Sequence, residues 1–427
     1  MSEFKKGGPI LAAGMIGVAC GASPIPFNVI PAVIGPMHDE LGWSFLEISL
    51  GITIFGVIAA LLSPVYGGWA DKYGVRPVAL LSLLGFGLTF SLLAFIPDSK
   101  LAWYMTWAIG GLVGIGSTPV TWSRAINMWF VKNRGLALGI LLLGTSLAGI
   151  VVPQLARLAI DGAFPFVGSG WRAAFPTLAM LPLFVALPLA FWLFREPLAH
   201  ERPAGLAGGD GKLFGIDLGT AVRGYRFWVI WVSIACVSVA FGGVFINMVE
   251  ITKLHGFTAA EGATVMSVLA VGILAGRLIT GMLFDRFWAP GVLVPILSAP
   301  AISCWLVMGS GSPLAVLMLG AVLLGFAAGA ESDLIAYLSG RYFGMAHYGK
   351  IYGMLYMPFG VGSAISPAIY GAVRDATGNY DAMLLVGGGL FMVGALLPLL
   401  LGRYPDAHAL GARDAVPHEG AGAVGPA

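Results

Sequence analysis

Long apolar runs separated by short charged turns dominate the chain. About 20 mainly apolar residues cross a bilayer as a helix. Twelve such runs follow one another, near 9–35, 46–67, 77–97, 101–130, 134–160, 173–195, 227–253, 261–283, 290–310, 313–341, 350–373 and 381–402. The longest polar interruption, 196–226, separates six runs from six. The pattern predicts an all-α membrane protein of twelve transmembrane helices. It divides into an N-terminal six-helix half at 1–195, a central loop at 196–226, a C-terminal half at 227–403 and a mobile tail at 404–427, rich in Gly, Ala, Pro and His. The opening MSEFKKGGPI imitates a signal peptide. Its apolar run continues beyond Pro26 without a small-x-small cleavage site, so it reads as a retained first span.

Composition agrees. Charged residues make up 10% of the chain and hydrophobic ones 58%, against roughly 25% charged in soluble domains, which excludes an ordinary soluble protein. The 62 glycines and 26 prolines suit close-packed and broken membrane helices. Net charge is +2, with no basic patch to suggest nucleic acid. Cys20, Cys236 and Cys304 each stand alone in apolar sequence, giving neither a disulfide framework nor metal spacing. No cofactor is expected, and the chain reads as a monomer in a lipid bilayer.

Lysine and arginine placement sets orientation. With both termini inside, sixteen of the 23 fall on inner segments and five on outer segments or span ends, leaving Arg124 and Arg277 within spans. Both termini and the central loop are therefore expected in the cytoplasm.

The halves repeat. GGWADKYGVRP follows the second run and GMLFDRFWAP the eighth, so that Gly67, Asp71 and Lys72 correspond to Gly281, Asp285 and Arg286. Trp129-Phe130 corresponds to Tyr342-Phe343, and Gly135 and Gly139 to Gly349 and Gly353. Such duplication places a substrate site near mid-membrane, between the halves.

Twelve spans, a central loop and the doubled G-x-x-x-D-[K/R] loop resemble the major facilitator superfamily over about residues 9–403. The stretches WFVKNRGLALGILLLGTSLAGIVVP, GWRAAF and RYFG…GKIYGMLYMPFGVGSAISPAIYGAVRDATGNY are similar to bacterial monocarboxylate porters and oxalate/formate antiporters. The resemblance implies two pseudo-symmetric halves in a bacterial inner membrane. It also implies a conformational latch in which the loop acid pairs with cations and helix ends across the halves. Asp71, Lys72, Arg76 and Arg134 match that latch, with Asp285 and Arg286 as its shorter, weaker second copy. An eighth-span arginine is the carboxylate-binding residue of such porters, and Arg277 matches it. Mammalian-type members carry an Asp one turn earlier, where this chain has Ile273, and Lys350 stands only at the entrance of the span that carries a lysine in oxalate porters.

Ionisable groups within spans are functional candidates by default. The deep ones are Arg124, Arg277, Glu331 and Asp333. Arg277 lies eight residues before Asp285, roughly 12 Å into its span, and its guanidinium fork fits a carboxylate. Arg124 shares a helix face with Ser117 and Thr121 and reads as a second substrate cation, a gate pair or an anchor. Glu331 and Asp333 are two residues apart, about 200° around a helix, so they serve different surroundings. Asp333, on the Tyr337 face, is expected toward the pathway, and Glu331 within the C-terminal half. A carboxylate held out of water takes up a proton more readily, so either acid reads as a proton site or as the counter-ion of an arginine. Pro24, Pro26, Pro31 and Pro36 break the first span around Asn28. Asn28, Asn247, Tyr352 and Tyr356 are candidate substrate contacts or packing residues.

The sequence thus predicts a secondary carrier of small organic anions, monocarboxylates foremost, with proton coupling or anion exchange. Competing readings are a drug efflux carrier and a non-transporting sensor on the same scaffold; no catalytic constellation suggests an enzyme. Orientation is testable with single cysteines in a chain lacking Cys20, Cys236 and Cys304. Ser169→Cys should react with an impermeant maleimide in intact cells, and Gly208→Cys only after permeabilisation.

Overall fold

The computed structural model describes residues 3–203, 206 and 213–405. The expected mobile tail falls almost wholly outside these residues. Ten helical stretches are long and apolar enough to cross a membrane. They are α1 (Glu3–Leu41), α2 (Phe45–Tyr73), α3 (Val75–Phe95), α5 (Arg134–Ile160), α6 (Trp171–Leu193), α7 (Tyr225–Leu254), α8 (Ala260–Arg286), α9 (Ala289–Leu306), α10 (Leu314–Tyr342) and α12 (Asp381–Leu401). Two further helical passages, α4 (100–129) and α11 (Tyr348–Thr377), complete the twelve in chain order.

Helix ends follow local chemistry. Ser44 and Glu47 form a reciprocal capping box at the start of α2, and Thr258 and Glu261 form another at the start of α8. Prolines decide where α1 and α4 break. α1 stops at Ala19 and restarts at Pro24; α4 stops at Gly114, makes a 3-10 turn and restarts at Pro119. The two breaks satisfy one another: the Ala22 N–H donates to Ser117 Oγ (3.0 Å), and the Trp122 indole donates to the Ser117 carbonyl (2.9 Å). Irregular backbone at membrane depth survives only with such partners. In the C-terminal half, Gly272 and Gly276 of α8 meet Gly325, Phe326 and Gly329 of α10 backbone to backbone. This close crossing sets Arg277 beside the acidic turn of α10.

The halves meet at one end, that of the Asp71 and Asp285 loops. Asp71 accepts hydrogen bonds from the Gly349 and Lys350 N–H groups that open α11 (2.8 and 2.9 Å). Asp285 accepts from the Gly135 and Leu136 N–H groups that open α5 (2.7 and 2.9 Å). Each carboxylate answers orphan donors and the positive end of a helix from the opposite half. Glycines allow the approach: a Cβ on Gly67 would strike the Gly349 carbonyl, and one on Gly281 the Gly135 carbonyl. Ser63 donates to the Gly353 carbonyl (2.7 Å), and Tyr348 of α11 bonds Ser123 and Asn127 of α4. These hydrogen bonds between opposite halves gather at this closed end.

The two copies differ in their cations. Arg124 donates to Asp71 (2.5 Å), whereas its counterpart Tyr337 donates to the Phe284 carbonyl (2.7 Å) and leaves Asp285 to the helix end. Lys72 lies exposed over the Tyr73 ring, and Arg76 stacks on Phe191 and donates to its carbonyl. Both stay within their own half. Arg134 is buried and makes only long contacts to the Phe130 and Asn127 carbonyls (3.4 Å each), and Arg286 is exposed.

Replacing Asp71 or Asp285 by Asn removes one acceptor and the charge, a loss of about 1–2 kcal/mol. The closed end should then open roughly 5- to 30-fold more often. Maleimide labelling of Ser123→Cys in the cysteine-free chain should accelerate accordingly. Gly67→Val should act in the same direction by wedging α2 from α11. Unchanged labelling in all three variants would refute the latch.

Candidate functional site

Arg277 is 6% exposed and Asp333 1% exposed, so two opposite charges are held almost wholly out of water. The Gly–Gly crossing of α8 and α10 sets their backbones close, and α5 of the other half crosses at Gly139, whose own Cβ position would touch the Arg277 carbonyl and lie 3.4 Å from Asp333 Oδ2. The pair therefore stands where the two halves meet. Its nearest N–O separation is 3.7 Å, too long for a hydrogen bond. Arg277 Nε and Nη1 and both Asp333 carboxylate oxygens are buried and make no hydrogen bond among the described residues. Buried charged groups left this way are costly, and the deficiency is one that a bound carboxylate would relieve at Arg277.

The surrounding wall is aromatic. Tyr348, Tyr352 and Tyr356 run up α11, with ring centroids 5.6 and 6.0 Å apart. Tyr352 is fully buried with an unpartnered hydroxyl. Tyr352 and Tyr356 are near enough to Arg277 to act on it electrostatically, and Tyr356 reaches toward Ser23 at the α1 break. Thr280, one turn along α8 from Arg277, adds another buried, unpartnered hydroxyl.

Other expected contacts lie apart from this cluster. Glu331 faces α7 and accepts a hydrogen bond from Ser238, wholly within the C-terminal half. Asn247 is held by Tyr380, whose hydroxyl donates to its side-chain carbonyl (3.0 Å), and by its own bond to the Gly243 carbonyl. Asn28 donates to the Pro24 carbonyl one turn before it (2.7 Å), and its oxygen lies 3.7 Å from the Cβ position of Gly149 on α5. Arg124 belongs to the closed end: Asp71 and Glu196 bind it, the latter at 3.0 Å, and it donates to the Met345 carbonyl (3.1 Å). This placement sets Arg124 at the closed end with Asp71 rather than beside Arg277.

Several partners escaped sequence reasoning. Glu196 is the first acid after the sixth span and was grouped with the central loop. Ser238 is a lone hydroxyl in an apolar run. Tyr348 is a single tyrosine just before Gly349. None carries a signal of its own, because each matters through a partner distant in sequence. Among the described residues, no group of His, Cys, Asp and Glu could hold a metal ion.

Comparison with known proteins places this architecture. The chain is 27% identical over 362 residues to "Monocarboxylate transporter 11" of Homo sapiens, covering 80% of this chain and 72% of that protein. It is 25% identical over 439 residues to "Probable sulfoacetate transporter SauU" of Cupriavidus necator, covering 94% and 98%. In structure it resembles the human organic anion transporter MFSD10 (TM-score 0.70, 18% identity, 91% of this chain and 99% of that one). It also resembles the E. coli fucose:proton symporter FucP (TM-score 0.69, 16% identity, 94% and 100%). The family model described as Major Facilitator Superfamily matches residues 15–302, more than half of the chain. The protein belongs to the Major Facilitator Superfamily and is a multi-pass membrane transporter rather than an enzyme.

Proposed function

We propose that the protein carries small organic anions, monocarboxylates foremost, across a bacterial inner membrane by rocking alternating access. The observation that carries this reading is the guanidinium of Arg277, buried between the halves beside Asp333 at 3.7 Å, with Nε and Nη1 making no hydrogen bond among the described residues. A carboxylate matches that fork bidentately, and the tyrosine wall of α11 supplies apolar surface with hydroxyl groups. Relatives named for monocarboxylate and sulfoacetate transport support the same class.

Asp333 supplies the coupling. It occupies the cation that the substrate needs, so Arg277 is shared between an internal and an external carboxylate. A proton on Asp333 cancels its claim and frees Arg277 for the substrate; loss of the proton restores the pair and expels the substrate. The acid stands on α10 rather than one turn before Arg277, where Ile273 lies, but serves the same cation. Glu331, bonded to Ser238, is a second candidate proton carrier. The arginine and lysine bias puts the closed end in the cytoplasm, so this conformation faces outward. A single chain holds the complete site, consistent with a working monomer.

Uptake of a panel of labelled monocarboxylates into proteoliposomes tests the proposal, with the outside more acid than the lumen. Arg277→Ala removes a buried charged partner worth about 2–5 kcal/mol, so saturable uptake should fall at least thirtyfold. Full transport by this variant, or no carboxylate transport by the wild type, would refute the cargo assignment. Asp333→Asn should abolish pH-driven accumulation while leaving exchange of substrate for substrate. If Asp333→Asn and Glu331→Gln both retain pH-driven accumulation, neither acid carries the proton.

A further inference from the structure

A second cation-rich site lies outside the transport pathway. At the closed end, a cavity of about 860 Å³ opens between the α4–α5 connection, the α8–α9 turn, the end of α10 and the chain after α12. Lys132, Arg286, Arg341 and Arg403 line it, against the single carboxylate of Asp285. That carboxylate is already engaged by the α5 backbone. The walls are fixed. Tyr337 donates to the Phe284 carbonyl, Tyr342 donates to the Gly402 carbonyl (2.7 Å each), and Tyr404 accepts from the Ala289 N–H (3.0 Å).

Arg341 is the focus. Its guanidinium lies over the Tyr404 ring, 4.1 Å from the centroid. Its Nε is buried with no hydrogen-bond partner, and no carboxylate comes within ion-pair distance of it among the described residues. Buried Arg134 stands within electrostatic range of it, and the acid within range of Arg134 is Asp285, whose carboxylate the α5 backbone already engages. The first half of the repeat shows what is missing. There Arg124 is neutralised by Asp71 and by Glu196, which follows α6. At the matching place after α12, among the described residues, Tyr404 stands where Glu196 stands after α6.

We propose that this cavity binds a phosphate-bearing anion, held by Arg341 and Arg403 with Lys132 and Arg286 at the rim. Guanidinium groups match phosphate oxygens bidentately, and the cavity exceeds the needs of a single phosphate, leaving room for a headgroup or an organic ester. Lys132 comes from the N-terminal half and the other three cations from the C-terminal half, so the complete cation set exists only while this end is closed. An anion bridging them therefore stabilises the closed form and, under the alternating-access reading above, holds the carrier facing outward. The anion site itself is independent of the cargo.

Full-length protein in phosphatidylcholine nanodiscs, titrated with inorganic phosphate in a calorimeter, tests the site. A parallel arm measures phosphatidylglycerol retained from mixed nanodiscs by native mass spectrometry. Saturable phosphate heat identifies a soluble phosphate as the ligand; phosphatidylglycerol retention without phosphate heat identifies a lipid headgroup. In either case Arg341→Gln and the exposed Arg403→Gln should each weaken binding about tenfold or more. Arg374→Gln, at the opposite end, should leave it unchanged. The bound anion should also slow labelling of Ser123→Cys. Binding in neither arm, or binding indifferent to both Arg341→Gln and Arg403→Gln, overturns the proposal. Binding without slower labelling overturns its link to the closed form. Because these readouts need no transported substrate, they stand or fall apart from the carboxylate assignment.

Discussion

A bilayer core offers no hydrogen bonds, so each polar group placed there must find its partner within the protein. Most of this chain obeys that constraint closely. The proline breaks of α1 and α4 answer one another through Ala22 and Ser117, and two aspartates cap helices of the opposite half. Against that background the exceptions carry meaning. Arg277 and Asp333 are buried, oppositely charged and adjacent, yet share no hydrogen bond. Close packing of α8 on α10 through glycine sets the distance between their helices, and with it the spacing of the two charges.

The same constraint would let the closed end act as a switch under the proposed alternating access. Asp71 and Asp285 satisfy helix N-termini only while the halves touch there. Opening that end hands the same N–H groups to water, which solvates them nearly as well, so the two states differ by little free energy. A small bias, such as a proton or a bound anion, is then enough to redistribute them.

Much of this was legible in the sequence, for reasons specific to particular residues. Apolar runs gave the twelve passages, and the repeated G-x-x-x-D-[K/R] phrase exposed the duplication. The Glu331–Asp333 spacing fixed that the two acids face different ways, since helix geometry alone decides it. Arg124 was less legible. Its polar stripe is compatible with a watery cavity, but Asp71 and Glu196, 53 and 72 residues away in sequence, hold it at the closed end. Asn247 was ambiguous for the same reason: its partner Tyr380 belongs to another helix. The cation cluster around Arg341 was invisible, because Lys132, Arg341 and Arg403 counted only as topology signals and Arg286 as part of the repeated loop.

The central claim is that substrate carboxylate and Asp333 compete for Arg277. Calorimetric titration of the purified protein with a short monocarboxylate, repeated in buffers of different ionisation enthalpy, measures protons exchanged on binding. The account predicts that the wild type takes up a proton as the carboxylate binds above neutral pH and that Asp333→Asn binds without proton uptake. Equal proton uptake by both proteins would contradict it.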